Sequence, residues 1–174
     1  MTGVPTDPEA NEHSLRVESA VVVGVDGSPG SSEALHWAIA EARLRNAPLR
    51  AVHAWTYFEP AVPPLLGYPY SAESVDSIVD DRRQAAGQML ERATTELASV
   101  HHIEIERVIG EGSAAQVLID AVGHEDLLVV GSRGHGGFAN LLLGSVSQQC
   151  ALHASCPVVI VRGTKPADAR EEVS

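Results

Sequence analysis

Lysine is nearly absent from this 174-residue chain: eleven of its 12 basic side chains are Arg, and Lys165 is the single Lys. A phosphate loop of the G-x-x-x-x-G-K-[ST] kind needs a lysine behind its glycines, and none precedes position 165. Positive charge is scarce as a whole: 12 basic against 23 acidic side chains leave a formal net charge of −11. A general nucleic-acid binder or a protein of anionic membrane surfaces carries a basic face, so both classes are disfavoured. A small polyanion can still be held by backbone donors and helix dipoles. Cysteine is limited to Cys150 and Cys156, whose spacing is not C-x-x-C and whose neighbours are largely apolar; they read as small buried hydrophobes. Also missing are an H-E-x-x-H zinc helix, a G-x-S-x-G nucleophile turn, and any apolar run near the ~20 residues that cross a bilayer. The first residues are polar, without an apolar core or basic start, so no secretory signal is indicated and a cytoplasmic location is expected.

What is present is an alternation. Residues 1–18 read as a disordered leader and 163–174 as a flexible tail, each polar and poor in apolar residues. Between them, the β-branched run Ala20–Val25 predicts a strand buried on both faces. Ser28, Pro29, Ser31 and Ser32 then open a helix whose Ala34, Leu35, Ala38, Ile39 and Ala42 share one face. Further strands are predicted at Leu49–Trp55, Ile103–Val108, Leu127–Val130 and 157–161. Helices are predicted from about Val75 to Leu97, after Ser113, and from Gly144–Ser145. The stretch 56–74, with Pro60, Pro63, Pro64, Pro69 and several aromatics, reads as a long loop of the kind that serves as a lid or partner surface. This order predicts a single α/β domain over 19–162, with a parallel sheet and right-handed crossovers.

Ligands on such sheets sit beyond the carboxyl ends of the strands. Two strand ends carry unusual chemistry. The first runs into Val25-Asp26-Gly27-Ser28, and the fourth into Gly131-Ser132-Arg133-Gly134-His135-Gly136-Gly137. Glycine lets backbone N–H groups approach a ligand, and the helix opened by Gly144-Ser145-Val146-Ser147 adds free N–H groups, a positive dipole end and two hydroxyls. These are the elements of an anion site. His53 and His135 fall near it and read as water-bonded histidines; His101 and His102, at the expected start of the third strand, point to opposite faces and make poor joint metal ligands.

Gly131, Gly134, Gly144 and Ser145 form G-x-x-G-x9-G-S after a buried strand and before Cys156-Pro-Val-Val-Ile-Val161. With Val23-Gly-Val-Asp26-Gly-Ser28 and Ala51-Val52-His53, this resembles the ATP-binding members of the universal stress protein family over roughly residues 20–162. The resemblance implies a Rossmann-like, adenine nucleotide alpha hydrolase-like domain. Its sheet would be five-stranded and parallel, of order 3-2-1-4-5, with helices on both faces. It implies that Asp26 contacts ribose, that Val52 lines the adenine pocket and reads the base edge through its backbone, and that Val130 packs against the nucleoside, with Val25 also among the binding residues. Gly131, Gly134, Gly144, Ser145, Val146 and Ser147 would hold phosphates and ribose, with Arg133 adding charge. The implied ligand is ATP, with or without Mg²⁺, in a nucleotide-dependent stress-response module that is at most a slow ATPase. Cyclic AMP or another adenine nucleotide is the alternative ligand. A nucleotide-independent interaction protein and a flavin protein are the alternative classes. Glutamate at position 134 or 144 is expected to abolish binding with the fold intact. A homodimer through the apolar edge strand 158–161 is expected, since a bare apolar edge needs cover.

Overall fold

The β-branched run after Ala20 becomes strand β1 (Val21–Gly24), and each later apolar run adds a strand after a helix. The elements follow as α1 (Pro29–Arg45), β2 (Leu49–Trp55), α2 (Ala72–His101), β3 (Ile105–Glu111), α3 (Ala114–Asp120), β4 (Leu127–Gly131), α4 (Ser145–His153) and β5 (Val158–Val161). The structure is a computed structural model and describes residues 19–56, 72–135 and 142–163. The expected leader, the tail from residue 164, most of the expected loop (57–71) and part of the glycine-rich loop (136–141) lie outside the described residues.

All five strands are parallel, in the order β3-β2-β1-β4-β5. In register, Val21 lies beside Leu49 on one side and Leu127 on the other, and Val129 lies beside Val159. Alternation along β1 splits the core into two layers. Val21 and Val23 pack with Leu35, Ile39, Leu49 and Leu90 under α1 and α2. Val22 packs with Val52, Leu118, Leu128, Val130 and Cys150 under α3 and α4. Each fully buried Leu or Val contributes about 1.5–3 kcal/mol, so both faces of the sheet must be covered, as they are.

Local chemistry sets most boundaries. Ser28 caps α1 by accepting from the Ser31 N–H, Pro29 fills the first helical position, and Asn46 closes the helix in the left-handed conformation (φ 52°). Boundaries around α2 and β3 differ most from the sequence-based expectation. Helix α2 begins at Ala72, inside the expected loop. It also runs on to His101 and ends through His102 at φ 51°, with Ile103 N–H reaching back to the Ala98 carbonyl. His101 and His102 therefore terminate a helix, and β3 starts two residues later than expected, at Ile105.

Candidate functional site

β1 and β4 are neighbours at the centre of the sheet, and the chain leaves them toward opposite edges. Their carboxyl ends form the switch point where a parallel sheet leaves a crevice. A cleft of about 570 Å³ opens there, floored by Val52, Val130 and Leu118.

The β1–α1 turn makes the first wall. Val25 N–H donates to the Val52 carbonyl (2.9 Å), one step past the end of β1. Asp26 Oδ1 accepts from the Ser28 N–H (2.9 Å), and Gly27 takes φ 81°, a conformation that favours glycine. Partial burial pushes the Asp26 carboxyl up. The Ser28 hydroxyl and N–H, the Ser31 hydroxyl and the nearby His135 more than offset this and hold it below its ordinary value. Asp26 is thus an ionised acceptor at the cleft's edge.

The second wall is the loop after β4, which lies against the start of α1. A Cβ on Gly131 would come within 2.7 Å of the Gly30 carbonyl group, and one on Gly30 would collide with the Arg133 carbonyl oxygen. A Cβ on Gly134 would collide with Asp26 Oδ2, the oxygen that also accepts from the His135 N–H (3.4 Å). Gly131 and Gly134 are therefore glycines because two backbones and a carboxylate meet there. A side chain at position 134 would meet the Asp26 carboxylate.

The third wall is the N-terminus of α4. Gly144 caps it with no side-chain bond, and its own N–H donates to the Ser132 carbonyl (2.8 Å). The first bond within the helix runs from Gln148 N–H to the Gly144 carbonyl, which leaves the N–H groups of Ser145, Val146 and Ser147 without helical partners. Helices α1 and α3 differ: Ser28 caps α1 and Ser113 caps α3 with their hydroxyls. The Ser147 hydroxyl is buried and turned back, reaching the carbonyls of Gly144 (2.9 Å) and Ser132 (3.2 Å), so at this position the backbone faces the cleft as donor.

All eleven residues named from the sequence (Val25, Asp26, Val52, Val130, Gly131, Arg133, Gly134, Gly144, Ser145, Val146 and Ser147) border this one cleft. The backbone role expected of Val52 does not fit: its carbonyl already accepts from Val25, and its side chain is 1% exposed. Ala54, two residues on, also lines the cleft. Its N–H and C=O face the same way as those of Val52, where β1 has already ended. Sequence reasoning missed Ala54, and also Ala114 and Leu118, whose i, i+4 spacing on α3 was the available signal. His53 bonds the Val25 carbonyl through Nδ1 (2.7 Å) and not water alone. Among the described residues no group of three or more His, Cys, Asp or Glu side chains could hold a metal, and Asp26 is the one carboxylate of the described lining. Neither cysteine is bonded to the other; Cys150 is buried and Cys156 half-buried. No helix among the described residues is long and apolar enough to cross a membrane.

Comparison with known proteins agrees with this geometry. Residues 19–162 match the universal stress protein family. A universal stress protein of Mycolicibacterium smegmatis is 35% identical over 146 residues, covering 84% of this chain and 49% of the relative. Relatives from Mycobacterium tuberculosis are 34% identical over 145 residues, and the chain spans about half the length of the relatives it matches. A universal stress protein solved in complex with cAMP superposes with a TM-score of 0.58 at 28% identity, covering 84% of this chain and 98% of the other. An Arabidopsis thaliana family protein with AMP bound shares the fold at 22% identity and a TM-score of 0.58, over 86% and 97% of the two chains. With this sheet order, this cleft and these matches, the chain belongs to the universal stress protein family.

Proposed function

We propose that the cleft binds an adenine nucleotide, ATP in the first place, and that the protein acts as a nucleotide-dependent regulatory module of the stress response. One observation carries this reading. Three uncapped N–H groups at the start of α4 stand across an apolar floor from an ionised carboxylate with two committed donors. Donors for an anion at one end, an acceptor for hydroxyls at the other, and an apolar surface between them match phosphate, ribose and base. The phosphates lie against Ser145, Val146, Ser147 and the Gly131–Gly134 backbone, with Arg133 adding exposed charge. Asp26 accepts from a ribose hydroxyl. The base lies over Val52, Val130 and Leu118, and its polar edge meets the N–H and C=O of Ala54, a role moved here from Val52.

Turnover needs more than binding: a positioned water, a base and neutralisation of the γ-phosphate. The described cleft offers one arginine and no lysine, so any hydrolysis is slow and draws on Mg²⁺ brought with the triphosphate. The second reading is cyclic AMP, favoured by the 28%-identical relative solved with that ligand. Mass spectrometry of the nucleotide that co-purifies, followed by calorimetric titration with ATP, AMP and cAMP, decides between them. Binding of none would leave the interaction-protein reading.

The same proposal includes a homodimer through β5. Among the described strands β5 is an outer edge of the sheet, made of Val158, Val159, Ile160 and Val161, all half-buried. The opposite edge, β3, carries Glu106, Arg107 and Glu111. Charge protects an edge from pairing, and the apolar edge is the one left to pair.

A further inference from the structure

The β1–β2 ladder stops one rung early, and a side chain occupies the missing rung. In register, Gly24 lies beside Val52, and Val25 N–H donates to the Val52 carbonyl. The next rung of a parallel ladder would run from Ala54 N–H to the Val25 carbonyl. That carbonyl instead takes His53 Nδ1 at 2.7 Å. A carbonyl can only accept, so Nδ1 carries the hydrogen. Val25 is consequently pinned to β2 at both its polar ends, once by backbone and once by imidazole. Alternation along β2 sets the His53 ring on the side of the sheet that Ala51 occupies, opposite Val52, and His53 itself borders the cleft.

We propose that His53 is a positioning residue: by taking the Val25 carbonyl it keeps the Ala54 N–H open to the cleft and fixes the peptide that leads into Asp26. The consequence for affinity rests on the nucleotide reading above; the hydrogen-bond exchange itself does not. Without the imidazole donor, the vacant carbonyl turns toward Ala54 N–H, the ladder gains its rung, and the base-reading edge closes while the Asp26 turn shifts.

Asn, Gln and Leu at position 53 separate this from a packing role, because an Asn side-chain nitrogen superposes on Nδ1 and a Gln nitrogen on Nε2. In calorimetric titrations with ATP, His53→Asn keeps the dissociation constant within about threefold of wild type. His53→Gln and His53→Leu weaken it by about tenfold or more. Equal affinity in all three variants, or retention by Gln and loss by Asn, overturns the proposal. Amide hydrogen exchange on the nucleotide-free protein gives an arm that needs no ligand. Ala54 N–H exchanges freely in wild type and in His53→Asn, and slows in His53→Gln or His53→Leu. An Ala54 amide already protected in nucleotide-free wild type refutes the inference even if ATP binds. Free exchange in a wild type that binds no ATP sustains it and refutes the nucleotide reading instead.

Discussion

Replacing Gly144 by alanine separates a glycine kept for the fold from one kept for a ligand. A Cβ at this position would meet Ser132 O at 3.5 Å, Arg133 Cα at 3.6 Å and Gly134 N at 3.9 Å, all ordinary contacts. The residue sits at φ −75°, open to any amino acid. Alanine is a poorer helix cap than glycine by up to about 1 kcal/mol, and the stiffer unfolded chain returns about 0.4–1 kcal/mol, so stability is nearly unchanged. The methyl group, however, lies between the α4 N-terminus and the Arg133–Gly134 backbone, the space a phosphate must share. Displacing one charge-assisted hydrogen bond, about 1.5–3 kcal/mol, weakens ATP by roughly 10- to 150-fold. Gly131→Ala is the contrast. Its Cβ meets the Gly30 backbone, which cannot step aside without moving α1, and the expected cost is about 1–3 kcal/mol, a melting point lower by roughly 3–10 °C. Scanning calorimetry and ATP titration of the two variants check both halves. A Gly144→Ala protein with wild-type ATP affinity would refute phosphate binding at α4.

Asp26→Ala is expected to weaken ATP by roughly 1–3 kcal/mol in a titration, because an ionised acceptor for ribose is lost. The Asp26 carboxyl titrates below its ordinary value, so what its charge contributes is complete above the unfolded carboxylate range and is lost only as pH falls through the lower folded value. An Asp26-dependent change in affinity between pH 5 and 8 would contradict this. In β5, Pro157 and Val161 carbonyls accept from β4, so Val159 also faces β4 and the N–H of Ile160 faces outward. Ile160→Pro therefore leaves the β4 ladder whole and should sediment as a folded monomer, whereas Val159→Pro breaks the ladder and lowers the melting point. A dimeric Ile160→Pro protein would remove β5 from the contact. Burial pushes the Cys150 thiol up to about 11, so alkylation followed by mass spectrometry should leave it unlabelled at neutral pH until the protein unfolds.

Side-chain patterning made most of this architecture readable in advance. β-branched runs marked β1, β4 and β5, and Ser28 and Ser113 marked two helix starts through chemistry that acts within four residues. The sheet order came through resemblance to a family. The end of α2 was hidden because His102 takes the left-handed turn that a glycine or asparagine would have announced. The error at Val52 has a definite cause. Periodicity tells which face of a sheet a side chain occupies, but not which neighbouring strand its N–H faces. That parity is set by register between distant segments, and it decided which backbone groups reach the cleft and which reach the outer edge.

The unlike edges of the sheet limit how far association can go. A molecule with adhesive strands at both ends could add copies without end. Here one end offers four apolar residues, while the other presents Glu106, paired with Arg50 at 2.8 Å, and Arg107, tied to Thr94 at 2.6 Å. Among the described strands the valence for edge-to-edge growth is one, so an assembly built through β5 closes at a pair, with no second apolar edge in the described sheet from which to grow a fibre.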